Sequence, residues 1–213
     1  VMMGLYVLGI LVGILCAVIL NKTTFHGKPM PFVMELPNYR FPSAKSVLLL
    51  MWDKAKDFVQ RAFTVIFIAT LLIWFLQSFD SRLNVVTDSG DSLLAMIGKL
   101  IAPVFIPLGF GDWRAATALI SGFSAKEAVV STLGVLTGTS MSSLGKTLGE
   151  IFTPMAAASY LVFTLLYTPC VAAVATIKRE MGSLWKTVGI VCMQCGVAWI
   201  AAFVLYNAGK LLL

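Results

Sequence analysis

Long apolar runs separated by short polar stretches set the pattern of this chain. Residues 2–20 form the first run and hold no charge, and a helix needs about 20 such residues to cross a bilayer core. The stretch NKTTFHGKPMPFVMELPNYRFPSAK that follows is rich in proline and polar groups and predicts an ordered loop. Val47, Leu48, Met51, Trp52, Ala55, Phe58 and Val59 then recur at helical spacing, with Asp53, Lys54, Lys56 and Asp57 on the other side. That alternation predicts an amphipathic helix in the membrane interface, continuing into a span over 62–79. Residues 80–91 carry Asp80, Asp88 and Asp91 against Arg82 and read as a polar external loop. Residues 92–110 are apolar but hold Lys99, Pro103 and Pro107, which predicts a short or broken span. Further spans are expected over 114–136, 154–177 and 184–206, with a Ser/Thr/Gly-rich loop over 138–153. The pattern therefore predicts an all-α, polytopic transmembrane helix bundle of six crossings. Its discontinuous helices and its interfacial amphipathic helix are part of that expectation.

Composition supports the same class. Of 213 residues, 59% are hydrophobic and 12% charged, whereas a soluble domain carries about 25% charged residues. The net charge of +6 does not point to nucleic acid, because the basic residues gather in two connecting segments. Segment 21–61 holds seven Lys/Arg against three acids, and 178–186 holds three against one. Cytoplasmic loops show this bias, so both segments are placed on the cytoplasmic side. The chain begins at Val1 in apolar sequence and reads as a piece of a longer polypeptide rather than a signal peptide. Cys16, Cys170, Cys192 and Cys195 all lie in apolar segments, so no disulfide framework is implied.

Two short motifs are set aside on physical grounds. In GTSMSSLGKT, Gly138 to Thr147, six residues rather than four separate the glycines, and no strand precedes them, so a phosphate-cradling loop is not encoded. Cys192 and Cys195 form a C-x-x-C, but within an apolar helix, where free cysteine normally behaves as a small hydrophobe.

Two breaks carry the candidate chemistry. In GFSAKEAVVS, Gly122 to Ser131, Lys126 and Glu127 are the only formal charges between Ala115 and Leu136. Ser124-x-x-Glu127 before an apolar run fits a capping box, and Gly122 suits a helix end, so an interruption is expected around 122–124. On the structural reading Glu127 is a cap, with Lys126 its neutralising neighbour or snorkelling outward. On the functional reading, an ionisable residue inside a span marks a solute path, and discontinuous helices near the midplane build transporter sites. The second break lies in TLLYTPCVAAVAT. Pro169 cannot bond the Leu165 carbonyl, which leaves an acceptor near Thr168 and Cys170. Thiolate, hydroxyl and carbonyl together suit a borderline-soft divalent cation; a proline kink with a packed cysteine is the simpler alternative.

Together, GFSAKEAVVSTLGVL, LLYTPCVAAVATIKRE and PFVMELPNYRFP resemble the C-terminal membrane half of the ferrous iron transport protein B family. The resemblance implies a permease domain for Fe²⁺ as transported substrate, multi-pass in the bacterial inner membrane. It implies metal-site roles for Cys170, Ser124 and Glu127, with Thr168 beside them and Glu35 in the acidic MELP element. It also implies that a GTP-binding domain and a first Gate segment precede the region represented here, so this chain by itself should neither bind GTP nor form a complete pathway. The implied divisions are a transmembrane helix at 1–20, the family-specific loop and amphipathic helix at 21–61, transmembrane helices at 62–110 and a Gate-type segment at 111–213. Expected partners are the lipid bilayer, the missing G domain and first Gate segment, small cytoplasmic accessory proteins and further copies of the chain, with no nucleic acid.

Other functions remain open at this point. Gate-type segments are also similar to parts of nucleoside permeases, although the breaks offer Ser, Thr, Cys and Glu rather than amides and aromatics. A non-transporting scaffold that docks a partner through 21–61 is a further reading. A membrane enzyme fits least, because His26 is the only histidine and no acid–base pair is positioned for catalysis.

Overall fold

The computed structural model describes residues 2–23, 41, 43–86, 88–139, 143–168 and 170–212. It divides into two units, Val1–Val59 and Gln60–Leu213. The first unit holds helix α1 (Met2–Thr23) and the start of helix α2 (Ala44–Ser78). No part of the most apolar stretch of either helix is buried inside the protein. Exposed side chains such as Tyr6, Leu11, Leu15, Leu71 and Trp74 therefore face a solvent that must itself be apolar, which is lipid.

Helix α2 is uninterrupted for 35 residues, a rise of about 52 Å. A bilayer core is about 30 Å thick, so one helix supplies both the charged amphipathic stretch and the span that continues from it. The helix ends at Ser78, and Phe79 pairs with Val85 in an isolated antiparallel bridge. Within that loop the Asp80 carboxylate accepts the N–H groups of Arg82 at 2.7 Å and Asn84 at 3.0 Å. Those bonds, Asn84's first, hold the Asp80 carboxyl below its ordinary value of 3.8. Leu83 takes the left-handed φ of 60° that closes the turn.

The remaining helices form the packed unit. Helix α3 (Leu93–Ile101) is capped by Ser92, whose hydroxyl accepts from Ala95 N–H at 3.1 Å. A 3₁₀ helix, Ala102–Leu108, follows, and Gly109, at φ 85°, turns the chain into helix α4 (Trp113–Gly122). The two halves are bent by 105°. Helices α5 (Ala128–Thr137), α6 (Leu144–Ile151), α7 (Pro154–Leu166), α8 (Val171–Met181) and α9 (Leu184–Leu212) complete the fold. The core gathers Phe105, Phe110, Tyr160, Phe163 and Tyr167 around small residues of α4 and α9. Its rings meet edge-on at 5.2 Å for Phe105–Phe163 and 5.1 Å for Phe110–Tyr160.

Two expectations change. Six crossings give way, among the described residues, to four stretches long and apolar enough to span, one of them α7 and α8 taken together, or five if the bent pair counts as one. The physical cause is the spacing of breakers: Pro103, Pro107, Gly109 and Gly111 split the third run. The fourth is split around Gly122, which leaves α5 with 10 residues, a rise of about 15 Å. The expected loop 138–153 also contains α6. Leu144 is buried, and Leu148 and Ile151 pack on the core, so an i, i+4, i+7 stripe prevails over a polar composition. Gly138, the first glycine of the discarded phosphate motif, is the left-handed cap of α5.

Candidate functional site

Both expected breaks are present, and each is built from the other. Helix α4 ends at Gly122, and α5 begins only at Ala128. Between them Phe123 N–H bonds Ile120 O, Ser124 N–H bonds Ser121 O, and Ala128 N–H bonds Ala125 O at 2.9 Å, a set of tight turns with no α-helical bond. On the second break, α7 ends at Leu166 and α8 begins at Val171, with Cys170 as its extended N-cap residue. Pro169 itself lies outside the described residues.

A helix end leaves carbonyls without partners, and at membrane depth no water supplies them. At the end of α4, the buried Tyr167 hydroxyl donates to Leu119 O at 3.5 Å. The Ser124 hydroxyl donates to Ser121 O at 2.8 Å. The Phe123 carbonyl receives Val171 N–H, the first of α8, at 2.9 Å. At the end of α7, Phe163 O receives Tyr167 N–H at 2.8 Å. The next carbonyls are met by Lys126 Nζ, at 3.2 Å from Thr164 O, 3.2 Å from Leu165 O and 3.4 Å from Tyr167 O. The same ammonium stands 4.8 Å from the centre of the Tyr167 ring. The two breaks thus close each other's open backbone, through Val171 in one direction and Lys126 in the other.

Close approach makes this crossing possible. A methyl on Gly122 would overlap the Val129 side chain and lie 2.8 Å from the Tyr167 hydroxyl oxygen. From α2, the Gln77 amide donates to the buried Ser121 hydroxyl at 3.4 Å, which ties the spanning helix to the first break. From α9, the Gln194 side-chain oxygen accepts from the Thr168 hydroxyl at 3.4 Å.

The candidate residues fare differently. Ser124, Thr168 and Cys170 come to one crossing, where Val171 N–H meets Phe123 O. Glu127 sits where α5 begins, with an exposed side chain that makes no capping bond. The expected capping box is therefore corrected: Ser124 donates to the turn behind it, and the helix restarts three residues later than a serine cap requires. The expected open Leu165 carbonyl is corrected as well, since Lys126 occupies it. Glu35 lies outside the described residues. Among the described residues, no three of His, Cys, Asp and Glu gather into a metal cage.

Sequence reading missed Tyr167, Gln77, Gln194 and the inward turn of Lys126. Gln194 carries a visible signal, a lone amide between two cysteines in an apolar helix, because polar groups in spans seek partners on neighbouring helices. Beside the crossing, Ile101, Phe105, Leu119, Phe163, Cys195 and Trp199 are among the residues that line a cavity of about 240 Å³. The polar atoms of its aromatic walls are already engaged, Trp199 Nε1 with Val104 O at 3.1 Å and the Tyr167 hydroxyl with Leu119 O.

Comparison with known proteins finds two family models on this chain. Residues 2–54 match the ferrous iron transport protein B C terminus, and residues 59–184 match the Gate family, described as nucleoside recognition. The chain is 37% identical over 212 residues to the Fe(2+) transporter FeoB of Staphylococcus aureus (strain COL), covering 99% of this chain and 32% of that protein. It is 36% identical over 228 residues to the Fe(2+) transporter FeoB of Campylobacter jejuni, with 99% and 36% covered. It is 35% identical over 260 residues to the Fe(2+) transport protein A/Fe(2+) transporter FeoB fusion protein of Porphyromonas gingivalis, with 99% and 31% covered. The chain thus spans about a third of the length of the curated relatives it matches. No solved structure matches it.

Proposed function

This chain belongs to the FeoB family, whose C-terminal membrane region it matches, and on that premise we propose that it forms part of the path by which Fe²⁺ crosses the membrane. The observation that carries the reading is the pair of interrupted helices at 122–128 and 166–171, tied by Val171 N–H to Phe123 O, with Cys170 at the tie. Broken helices at membrane depth are where transporters place their ion sites. A cysteine sulfur there prefers Fe²⁺ over hard Mg²⁺ or Ca²⁺, because ligand softness matches ion softness.

In this reading Cys170 is the principal Fe²⁺ ligand along the path, with Ser124 and Thr168 as oxygen neighbours. Glu127 and Glu35 are carboxylates that attract the cation before it reaches the sulfur. Lys126 has to move away from the α7 carbonyls before a second cation can approach them, since two positive charges at that distance repel. GTP acts on a part of the protein outside this chain. The fusion of Fe(2+) transport protein A to FeoB in the Porphyromonas protein supports an accessory partner at the cytoplasmic face. Further copies of the chain are the other expected partners. An organic-solute carrier fits less well: the cavity beside the crossing is small and apolar, and its aromatic hydroxyl and indole N–H are committed to backbone.

The test is ⁵⁵Fe²⁺ uptake by cells expressing the full-length protein. Cys170→Ser should lower uptake by about tenfold or more, the range seen when a metal-site group is lost, with membrane insertion unchanged. Cys192→Ser with Cys195→Ser should lower it far less. If the double change abolishes uptake and Cys170→Ser leaves it intact, the assignment of the cysteine is wrong.

A further inference from the structure

The three carbonyls at the end of α7 form an oxygen cradle already filled by a positive charge of the chain itself. An ammonium has three N–H donors and no acceptor, and Lys126 Nζ has three carbonyl partners, on Thr164, Leu165 and Tyr167, at 3.2, 3.2 and 3.4 Å. The Tyr167 ring, 4.8 Å away, covers the ammonium with the negative face of its π system. A helix C-terminus carries partial negative charge and favours a cation. Unwound carbonyls at half-helix ends are the groups with which transporters hold a coupling cation. The ligands here are neutral carbonyls with no carboxylate among the three, which suits a single positive charge; hard divalent cations are held with carboxylates.

We infer that the end of α7 is a monovalent-cation site, and that the tethered Lys126 ammonium stands in it in place of a free ion such as potassium or ammonium. The chain therefore needs no dissolved monovalent cation to hold its second break closed. The inference rests on the cradle alone and is independent of the solute the protein carries.

The experiment measures thermal melting of the purified protein in detergent, in chlorides of potassium, ammonium, methylammonium and tetramethylammonium at equal ionic strength. Wild-type protein should melt at the same midpoint in all four. Lys126→Ala should melt lower by about 5 °C, as expected for the loss of hydrogen bonds to a charged group in a chain of this size. Potassium, ammonium or methylammonium should restore about half of that loss along a saturable curve, and tetramethylammonium, too large and without N–H donors, should restore none. Lys126→Met, whose stem still fills the approach, should lose stability and show no cation preference. Should Lys126→Ala fold poorly, its yield should be higher when it is purified in ammonium or potassium chloride than in the tetramethylammonium salt. The proposal is overturned by an unchanged midpoint in Lys126→Ala, by recovery equal in all four salts, by equal yields, or by wild-type protein that itself gains stability from potassium or ammonium.

Discussion

Lys126 and Glu127 are neighbours in sequence with opposite surroundings. Lys126 turns toward the end of α7 and bonds three carbonyls, whereas the Glu127 side chain is exposed where α5 begins. The charges were legible in sequence because they stand alone in an apolar run; their directions were not, since the partners of Lys126 lie 38 to 41 residues away. Cys170 was singled out by the proline break beside it and by the family resemblance, whereas Tyr167 was hidden among other aromatic residues. Asp80 yields a prediction at this scale. Its folded pKa is depressed by N–H bonds from Asn84 and Arg82. The contribution of those bonds is therefore fully present above the unfolded value and is lost as pH falls through the lower, folded one. The amide proton shifts of Arg82 and Asn84 should titrate together with a midpoint below 3.8, and Asp80→Ala should abolish that titration.

Helix ends, more than helix interiors, determine what the elements do. An interruption around 122–124 was foreseen from Gly122 and the capping-box pattern; it extends to 128, and the capping box did not form. Local pattern proposes a cap; tertiary contact disposes of the free carbonyls differently when a lysine, a tyrosine and a neighbouring helix N-terminus are within reach. Since Glu127 makes no capping bond, Glu127→Ala should leave the melting midpoint within about 2 °C of wild type, as for surface changes in chains of this size. A cap would cost about 1 kcal/mol, and a fall in midpoint of the corresponding size would restore the capping role. Helix α6 shows the opposite failure. Its Ser/Thr/Gly-rich surroundings concealed three apolar positions that become a buried stripe only once the core is there to meet them.

For the protein as a whole, membrane residence follows from composition and from the uncovered apolar length of α1 and α2. Helix α2 (Ala44–Ser78) precedes the acidic 80–91 turn, and the expectation from charge bias, that segment 21–61 is cytoplasmic and 80–91 external, is open to a direct test. Thr23→Cys should react with an impermeant maleimide only from the cytoplasmic side and Arg82→Cys only from the outside; labelling of Thr23→Cys from outside would invert the topology. The sequence by itself determined what depends on local composition: that the chain is helical and spans a membrane, where the long helices run, and that two of the later runs are interrupted by Gly and Pro. Only the tertiary structure decided how those interruptions are used. A backbone carbonyl released at one break carries no record in sequence of the group that will satisfy it, and in lipid some group must. Here the two breaks satisfy each other, Val171 donating to Phe123 and Lys126 to Thr164, Leu165 and Tyr167, because close packing at Gly122 brings two distant segments into hydrogen-bond reach.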